Sequence, residues 1–235
     1  SSCEYNRERK CTMNIEGIDN KLRRAGNVEC TGDAMFDHGA QLCRIRAIKC
    51  LGTVASGTVG GWVQSADNIK AYGNEWIGGA AIVRDNATVM NNGRVTGSCR
   101  ICGNAIICDN ASIEGAVVVK GCTTIGGKAM IKGAFTVPEG ANIGGDALIH
   151  NEDQVCLAIL GGVPFTVFRT SHGVHVTINN LHAFPYQDKN AIRKGIAENR
   201  IQLPEDAVIA VINAMAATIN NRAPRKNMGF MHLFN

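Results

Sequence analysis

Branched apolar residues recur every six positions through the middle of the chain. From Ile77 to Val155 every sixth residue is Ile or Val, with no shift of phase. Two positions earlier the residue is mostly small, and the second position of each hexad is mostly Gly, Asn or Asp. The hexads end at Ile77, Val83, Val89, Val95, Ile101, Ile107, Ile113, Val119, Ile125, Ile131, Val137, Ile143, Ile149 and Val155.

This pattern predicts short strands joined by tight corners. Side chains alternate across a strand, so the fourth and sixth positions point inward while the fifth points outward. Gly, Asn and Asp tolerate the positive φ that a tight corner needs. Three strands with three corners close one triangular coil, and stacked coils hydrogen-bond about 4.8 Å apart. We therefore predict a parallel β-helix over residues 72–155, because an antiparallel sheet would not keep a six-residue phase for so long.

The segment before the repeats predicts a cover for the open end of the β-helix. Phe36 and Leu42 are also six residues apart, so residues 31–42 fit either an extra coil or cap strands. Residues 57–68 break the phase and predict a Gly-rich loop, in which Trp62 would cover the first coil. We assign residues 1–71 to this N-terminal segment.

The segment after the repeats predicts a small α+β cap over residues 156–235. Three apolar runs between 155 and 178 predict a β-meander, with turns at Gly161-Gly162 and at residues 171–173. A short helix is expected over 188–199 and a longer one over 203–220. The longer helix carries one apolar stripe, formed by Val208, Val211, Ile212, Met215 and Ile219.

Charge and hydropathy bear on location and partners. The formal net charge of +4 is too small to indicate nucleic acid as a partner. No apolar run reaches the length of about 18 residues that predicts a membrane span, so we expect no contact with a membrane. Residues 1–10 are polar and charged, unlike a signal peptide. We therefore expect a cytoplasmic protein.

The ten cysteines are expected to be free thiols in a reducing compartment. Disulfide frameworks belong to small secreted chains, which this chain does not resemble. Cys99 and Cys102 form one C-x-x-C, but no second pair stands at zinc spacing. We expect neither a metal nor a cofactor.

Residues 42–47 (LCRIRA), the stretch from Gly57 to Asn68 and the hexads after it resemble a family of bacteriophage and prophage hexapeptide-repeat proteins. Residues 167–173 (VFRTSHG) resemble the hairpin in the cap of that family, and Gln64 stands where the family usually has Glu. The resemblance covers about residues 42–180. It implies a left-handed β-helix and a viral origin in a bacterial host. It implies no activity, because the members are mostly uncharacterised.

Many hexapeptide-repeat proteins are acyltransferases, which resemble one another in using a His beside the prism as general base. Here no His lies between residues 72 and 149, which leaves His38 and His150 as weak catalytic candidates. The coils also lack the three His that bind zinc in the γ-type carbonic anhydrases. His172, His175 and His182 lie near a hairpin without an identified carboxylate partner, which is a weak metal signal.

The outward fifth positions of the hexads line up on three walls, because each wall recurs every eighteen residues. Apolar side chains that point outward from a flat wall indicate burial against a partner. We expect self-association through the wall that carries Trp76 and Met130. The candidate interface residues are Trp76, Arg94, Met130 and Leu148 on one wall and Ile82, Arg100 and Val118 on another.

These observations favour a non-enzymatic binding protein, since a rigid prism with few loops suits protein contact better than catalysis. With the phage resemblance, we expect a host-directed inhibitor that binds a bacterial protein, for example one of a defence system. Two alternatives stay open. One is an acyltransferase that uses acetyl-CoA, and the other is a structural protein of the virion or tail.

Overall fold

A computed structural model describes residues 24–70 and 72–221 of the 235-residue chain. The fold is mainly β, and its centre is a β-solenoid of about five turns. An antiparallel hairpin joins the solenoid near its first coils. A second antiparallel sheet and two short helices close the other end.

The N-terminal segment forms four strands: β1 (Arg24–Ala25), β2 (Val28–Asp37), β3 (Ala40–Ala47) and β4 (Val59–Val63). These pair antiparallel in chain order, so residues 31–42 are cap strands and the alternative of an extra coil is wrong. Leu42 is buried, whereas Phe36 is 60% exposed beside the hairpin turn. The loop predicted over 57–68 is also wrong in part, because β4 and a 3-10 turn at Ala66–Asn68 occupy most of it.

Trp62 does not cover the end of the first coil. It lies half-buried on β4, which pairs in parallel with the next coil at Ile82, and the Arg44 guanidinium stacks 5.4 Å from its ring. Ile45 and Leu51 pack against the core of the first coils instead. The prediction for Trp62 is therefore wrong, because its strand continues a wall and does not cross the open end.

Parallel strands form the three walls of the solenoid, and from Trp76 onward residue i pairs with residue i + 18. Wall A contains β5 (Trp76–Ile77), β8 (Arg94–Val95), β11 (Ser112–Gly115), β14 (Met130–Gly133) and β16 (Leu148–Ile149). Wall B contains β6 (Ile82–Val83), β9 (Arg100–Ile101) and β12 (Val118–Val119), and wall C contains β7 (Thr88–Val89), β10 (Ile106–Ile107), β13 (Thr124–Ile125) and β15 (Asn142–Ile143).

The burial of the sixth position in every hexad confirms the predicted core. Ile107 is fully buried, whereas the preceding Ile106 is 36% exposed on wall C. The corners use the left-handed backbone region, with φ of 57° at Asp85, 61° at Asn91 and 55° at Asp109. These residue types tolerate that conformation better than others do, which explains the preference at the second position.

The C-terminal part confirms the predicted meander and helices. Its elements are β17 (Val155–Leu160), β18 (Val163–Thr170), β19 (Gly173–Ile178), β20 (Phe184–Pro185), α1 (Lys189–Glu198) and α2 (Glu205–Asn221). One face of the sheet adds Val155 and Phe168 to the solenoid core. The other face packs Phe165 and Val176 against the helices, so the sheet separates two apolar clusters.

Candidate interaction surfaces

Wall A has the register that the hexads predicted. Trp76, Arg94, Ser112, Met130 and Leu148 follow one another as paired neighbours. Trp76 itself is only 4% exposed and belongs to the core, which corrects the expectation of an outward, exposed Trp. A Cβ at Gly60 would lie 2.8 Å from the indole ring, so β4 packs directly on it. The N-terminal strands thus cover the first rung of the wall.

Arg94, on the next rung, is also committed to the N-terminal segment. Its guanidinium donates to the Leu51 carbonyl at 2.8 Å and lies 3.5 Å from the Thr53 hydroxyl. These residues belong to a tight turn in which Gly52 has φ of 61°. A Cβ there would lie 2.8 Å from Arg94 Nη2, so both the backbone conformation and this contact favour glycine. Arg94 therefore anchors a turn and offers little to an outside partner.

The outer part of wall A, which we call the wall A patch, comprises Ser112, Met130 and Leu148. Met130 is 57% exposed, and its two neighbours are half-buried. Lys132 and Glu114 form an ion pair of 3.2 Å at one side of the patch. The patch is an apolar centre with a charged margin.

Wall B offers less open surface than the hexads suggested. Ile82 is buried, Val118 is half-buried, and Arg100 binds Asp37 of the N-terminal hairpin at 2.7 Å. Arg84 lies 3.3 Å from the second oxygen of the same carboxylate. Burial alone would raise the pKa of Asp37, but the Arg100 hydrogen bond and the charges of both arginines outweigh it and lower this pKa. The hairpin is thus held against wall B by ion pairs from Arg100 and Arg84 to the Asp37 carboxylate.

The two histidines proposed as catalytic candidates share no partner. His38 is exposed at the β2–β3 turn, with φ of 47°. His150 is exposed just after β16, and its backbone N–H donates to Gln154 at 2.6 Å. Neither is among the residues that line the groove described below, and a catalytic role for either one stays a prediction.

A Ser–His–Asp cluster does form at the junction between the last coil and the cap. Asp146 Oδ2 lies 2.7 Å from His172 Nδ1 and 2.8 Å from the Ser171 hydroxyl. Ser171 also contacts the same His172 nitrogen at 2.9 Å. A catalytic relay needs the serine and the carboxylate on different ring nitrogens, so this cluster is a latch between two elements.

Asp146 is the carboxylate partner of His172, which the sequence alone did not identify. Burial would raise the pKa of Asp146, but hydrogen bonds from His172 and Ser171 lower it. His175 turns to Thr170 instead, at 2.9 Å, and burial lowers the pKa of His175. Within residues 24–70 and 72–221, no three His, Cys, Asp or Glu side chains are placed to share a metal ion.

An asparagine ladder runs along one corner of the solenoid. The side chain of Asn92 donates to Asn110 at 3.3 Å, and that of Asn74 to Asn92 at 3.5 Å. The signal in the sequence is an Asn at the third position of three hexads that lie eighteen residues apart, at 74, 92 and 110. The ladder borders an open groove of about 440 Å³, which is also lined by Gly52, Thr53 and Arg94. Since the amides bond to one another, they support the stacking of coils.

Among the described cysteines, one pair differs from the expectation of free thiols, and Cys3 and Cys11 lie outside the described residues. Cys30 on β2 and Cys43 on β3 form a disulfide, because the hairpin brings their Cα atoms to 6.0 Å. Cys99 is buried inside the prism and burial raises its pKa, whereas Cys102 lies half-buried at the next corner. The C-x-x-C pair therefore spans a strand and a corner.

No protein-family model matches this chain, and no curated protein matches it. The resemblance to phage hexapeptide-repeat proteins stays a prediction. Neither described helix is long and apolar enough to cross a membrane.

Proposed function

We propose that this protein acts by binding another protein through the wall A patch, and not by catalysis. The observation that carries the proposal is Met130, an apolar side chain 57% exposed at the centre of the wall A patch. Met is enriched at the cores of protein interfaces, and charged residues are concentrated at their margins. The Glu114–Lys132 pair beside the patch fits such a margin.

The patch is also held rigidly, which favours binding. Ser112, Met130 and Leu148 alternate with Ile113, Ile131 and Ile149, and each of these is almost completely buried in the prism. The backbone of a packed strand is already ordered, so it loses little conformational entropy when a partner binds. A larger part of the contact free energy therefore remains as free energy of binding. A preformed flat surface suits a folded protein partner better than a small molecule.

The partner we propose is a protein of a bacterial host. The resemblance of residues 42–68 to phage proteins supports this choice, and it also supports a left-handed course for the solenoid. A phage protein that binds a host protein by surface contact would act as an inhibitor, for example of a defence system. No geometry in the described part of the chain specifically favours an acyltransferase or a virion component.

Capture from bacterial lysate with matched variants tests the proposal. Immobilised wild-type protein would be compared with Met130→Glu and with Ile106→Glu, which places the same charge on an exposed apolar position of wall C. A carboxylate in an apolar contact costs more than about 1.4 kcal/mol, so capture of the true partner should fall more than about tenfold with Met130→Glu.

Ile106→Glu should capture the same partner as the wild type. A partner retained equally by wild type and Met130→Glu would show that the wall A patch is not the contact surface. Circular dichroism of each variant would establish that both remain folded.

A further inference from the structure

Strand β17 lies at one edge of the C-terminal sheet. The strand order is β17-β18-β19-β20, so β17 pairs with β18 on one side alone among the described strands. Its six residues are Val-Cys-Leu-Ala-Ile-Leu, without a charge or a proline. Natural edge strands usually carry a charged residue or a proline, because an unprotected edge pairs with strands of other chains. Ile159 on this edge is 58% exposed.

The turn geometry shows which peptide groups face outward. Gly161 and Gly162 form a two-residue turn with φ of 59° and 81°, flanked by the pair Leu160 and Val163. In such a turn the flanking pair exchanges both hydrogen bonds. The backbone groups of Leu160, Ala158 and Cys156 then bond to β18. The N–H and C=O groups of the residues between them point away from β18.

An independent hydrogen bond supports this assignment. The Pro164 carbonyl accepts from the Asn179 backbone, so even-numbered residues of β18 face β19 and odd-numbered residues face β17. Leu157 and Ile159 oppose the even-numbered Thr166 and Pro164, and their backbone groups therefore point to the open side. Among the described residues, Leu157 and Ile159 have no backbone hydrogen-bond partner on that side.

We propose that a second copy of this chain pairs with β17 in antiparallel orientation, about a two-fold axis at Leu157. The backbone groups of Val155, Leu157 and Ile159 point to the open side and are spaced symmetrically around that axis, so Leu157 would pair with its own copy and Ile159 with Val155. Three such pairs give about six backbone hydrogen bonds. The two sheets become one continuous sheet.

A second copy fits this edge better than a charged peptide does. The strand offers no charge for an ionic partner, and pairing with itself brings no like charges together. The inference goes beyond the wall A patch, because β17 belongs to the cap and uses different residues. The two surfaces can therefore be tested independently.

Sedimentation of three lysine variants tests the pairing. Ile159→Lys places on the edge the residue that natural edge strands use for protection. Ile106→Lys on wall C and Met130→Lys on wall A are matched controls, since both replace exposed apolar side chains. We expect the wild type and both controls to be dimers at about 50 μM, and Ile159→Lys to dissociate at least about 100-fold more readily.

Hydrogen exchange measured at single amides adds a readout of the ladder itself. The amides of Leu157 and Ile159 should be protected in the wild type and should exchange rapidly in Ile159→Lys. Ile159→Pro is a second variant, because it removes an outward donor without removing a bond to β18. A monomeric wild type, a dimer that persists in both Ile159 variants, or a dimer lost in Met130→Lys would overturn the proposal.

Discussion

The adjacent residues Ile106 and Ile107 allow a direct test of how the solenoid is stabilised. Both lie on β10 and have the same side chain, but Ile107 is fully buried and Ile106 is 36% exposed. Ile107→Ala removes three buried carbons, which at about 0.8 kcal/mol each lowers the free energy of unfolding by about 2.4 kcal/mol. The cavity left between rigid walls raises the loss to about 3–4 kcal/mol.

Ile106→Ala should lower the free energy of unfolding by less than about 1 kcal/mol, because much of its side chain stays in contact with water in the wild type. Strand propensity changes equally in both variants, so the difference between them isolates burial. Urea denaturation followed by circular dichroism measures both values. Equal losses for the two variants, or a loss below about 1 kcal/mol for Ile107→Ala, would refute the assignment of inward and outward positions.

Three further predictions concern other parts of the fold. Burial raises the pKa of Glu75, so its ionisation opposes folding above the unfolded-state pKa of about 4.3. In thermal melts, Glu75→Gln should therefore be more stable than the wild type at pH 7 but not at pH 3.5. Cys30→Ser removes a cross-link spanning 13 residues and should lower the free energy of unfolding by about 3 kcal/mol in urea, a loss that dithiothreitol should reproduce in the wild type. Calorimetry with acetyl-CoA should show no heat of binding. Micromolar binding would instead favour the acyltransferase alternative, with His38→Ala and His150→Ala as the variants to assay.

The inward face of the solenoid was predictable because it depends on local periodicity alone. A residue such as Ile107 follows a corner by a fixed number of positions, so its direction is set within its own hexad. The C-terminal meander was predictable for a similar reason, since two adjacent glycines at 161 and 162 mark the first turn.

The exposure of the outward residues was less predictable, because it depends on which distant segments of the chain pack over them. Trp76 has the outward phase of wall A, but β4, which precedes it in the chain, packs over the indole ring and buries it. Gly60 held a signal for this, since a glycine within a strand often marks close approach of another segment. The sequence nevertheless predicts a loop at Gly60, because several glycines lie together there.

The latch at Asp146 and the disulfide at Cys30 were missed for the same physical reason. His172 lies 26 residues after Asp146, and Cys43 lies 13 residues after Cys30. Neither pair follows from the six-residue period, because each joins elements that come together only when the caps fold. Spacing alone does not distinguish among the many disulfides that ten cysteines could form, or among the many carboxylates that six histidines could contact.

Photo-crosslinking from the wall A patch tests the proposed function most directly. A photoreactive phenylalanine derivative would replace Met130 in one protein and Thr136, an exposed residue on wall B, in another. After irradiation in bacterial lysate, the binding proposal predicts one dominant host protein joined to position 130 and absent from position 136. The same adducts at both positions, or none at position 130, would contradict it.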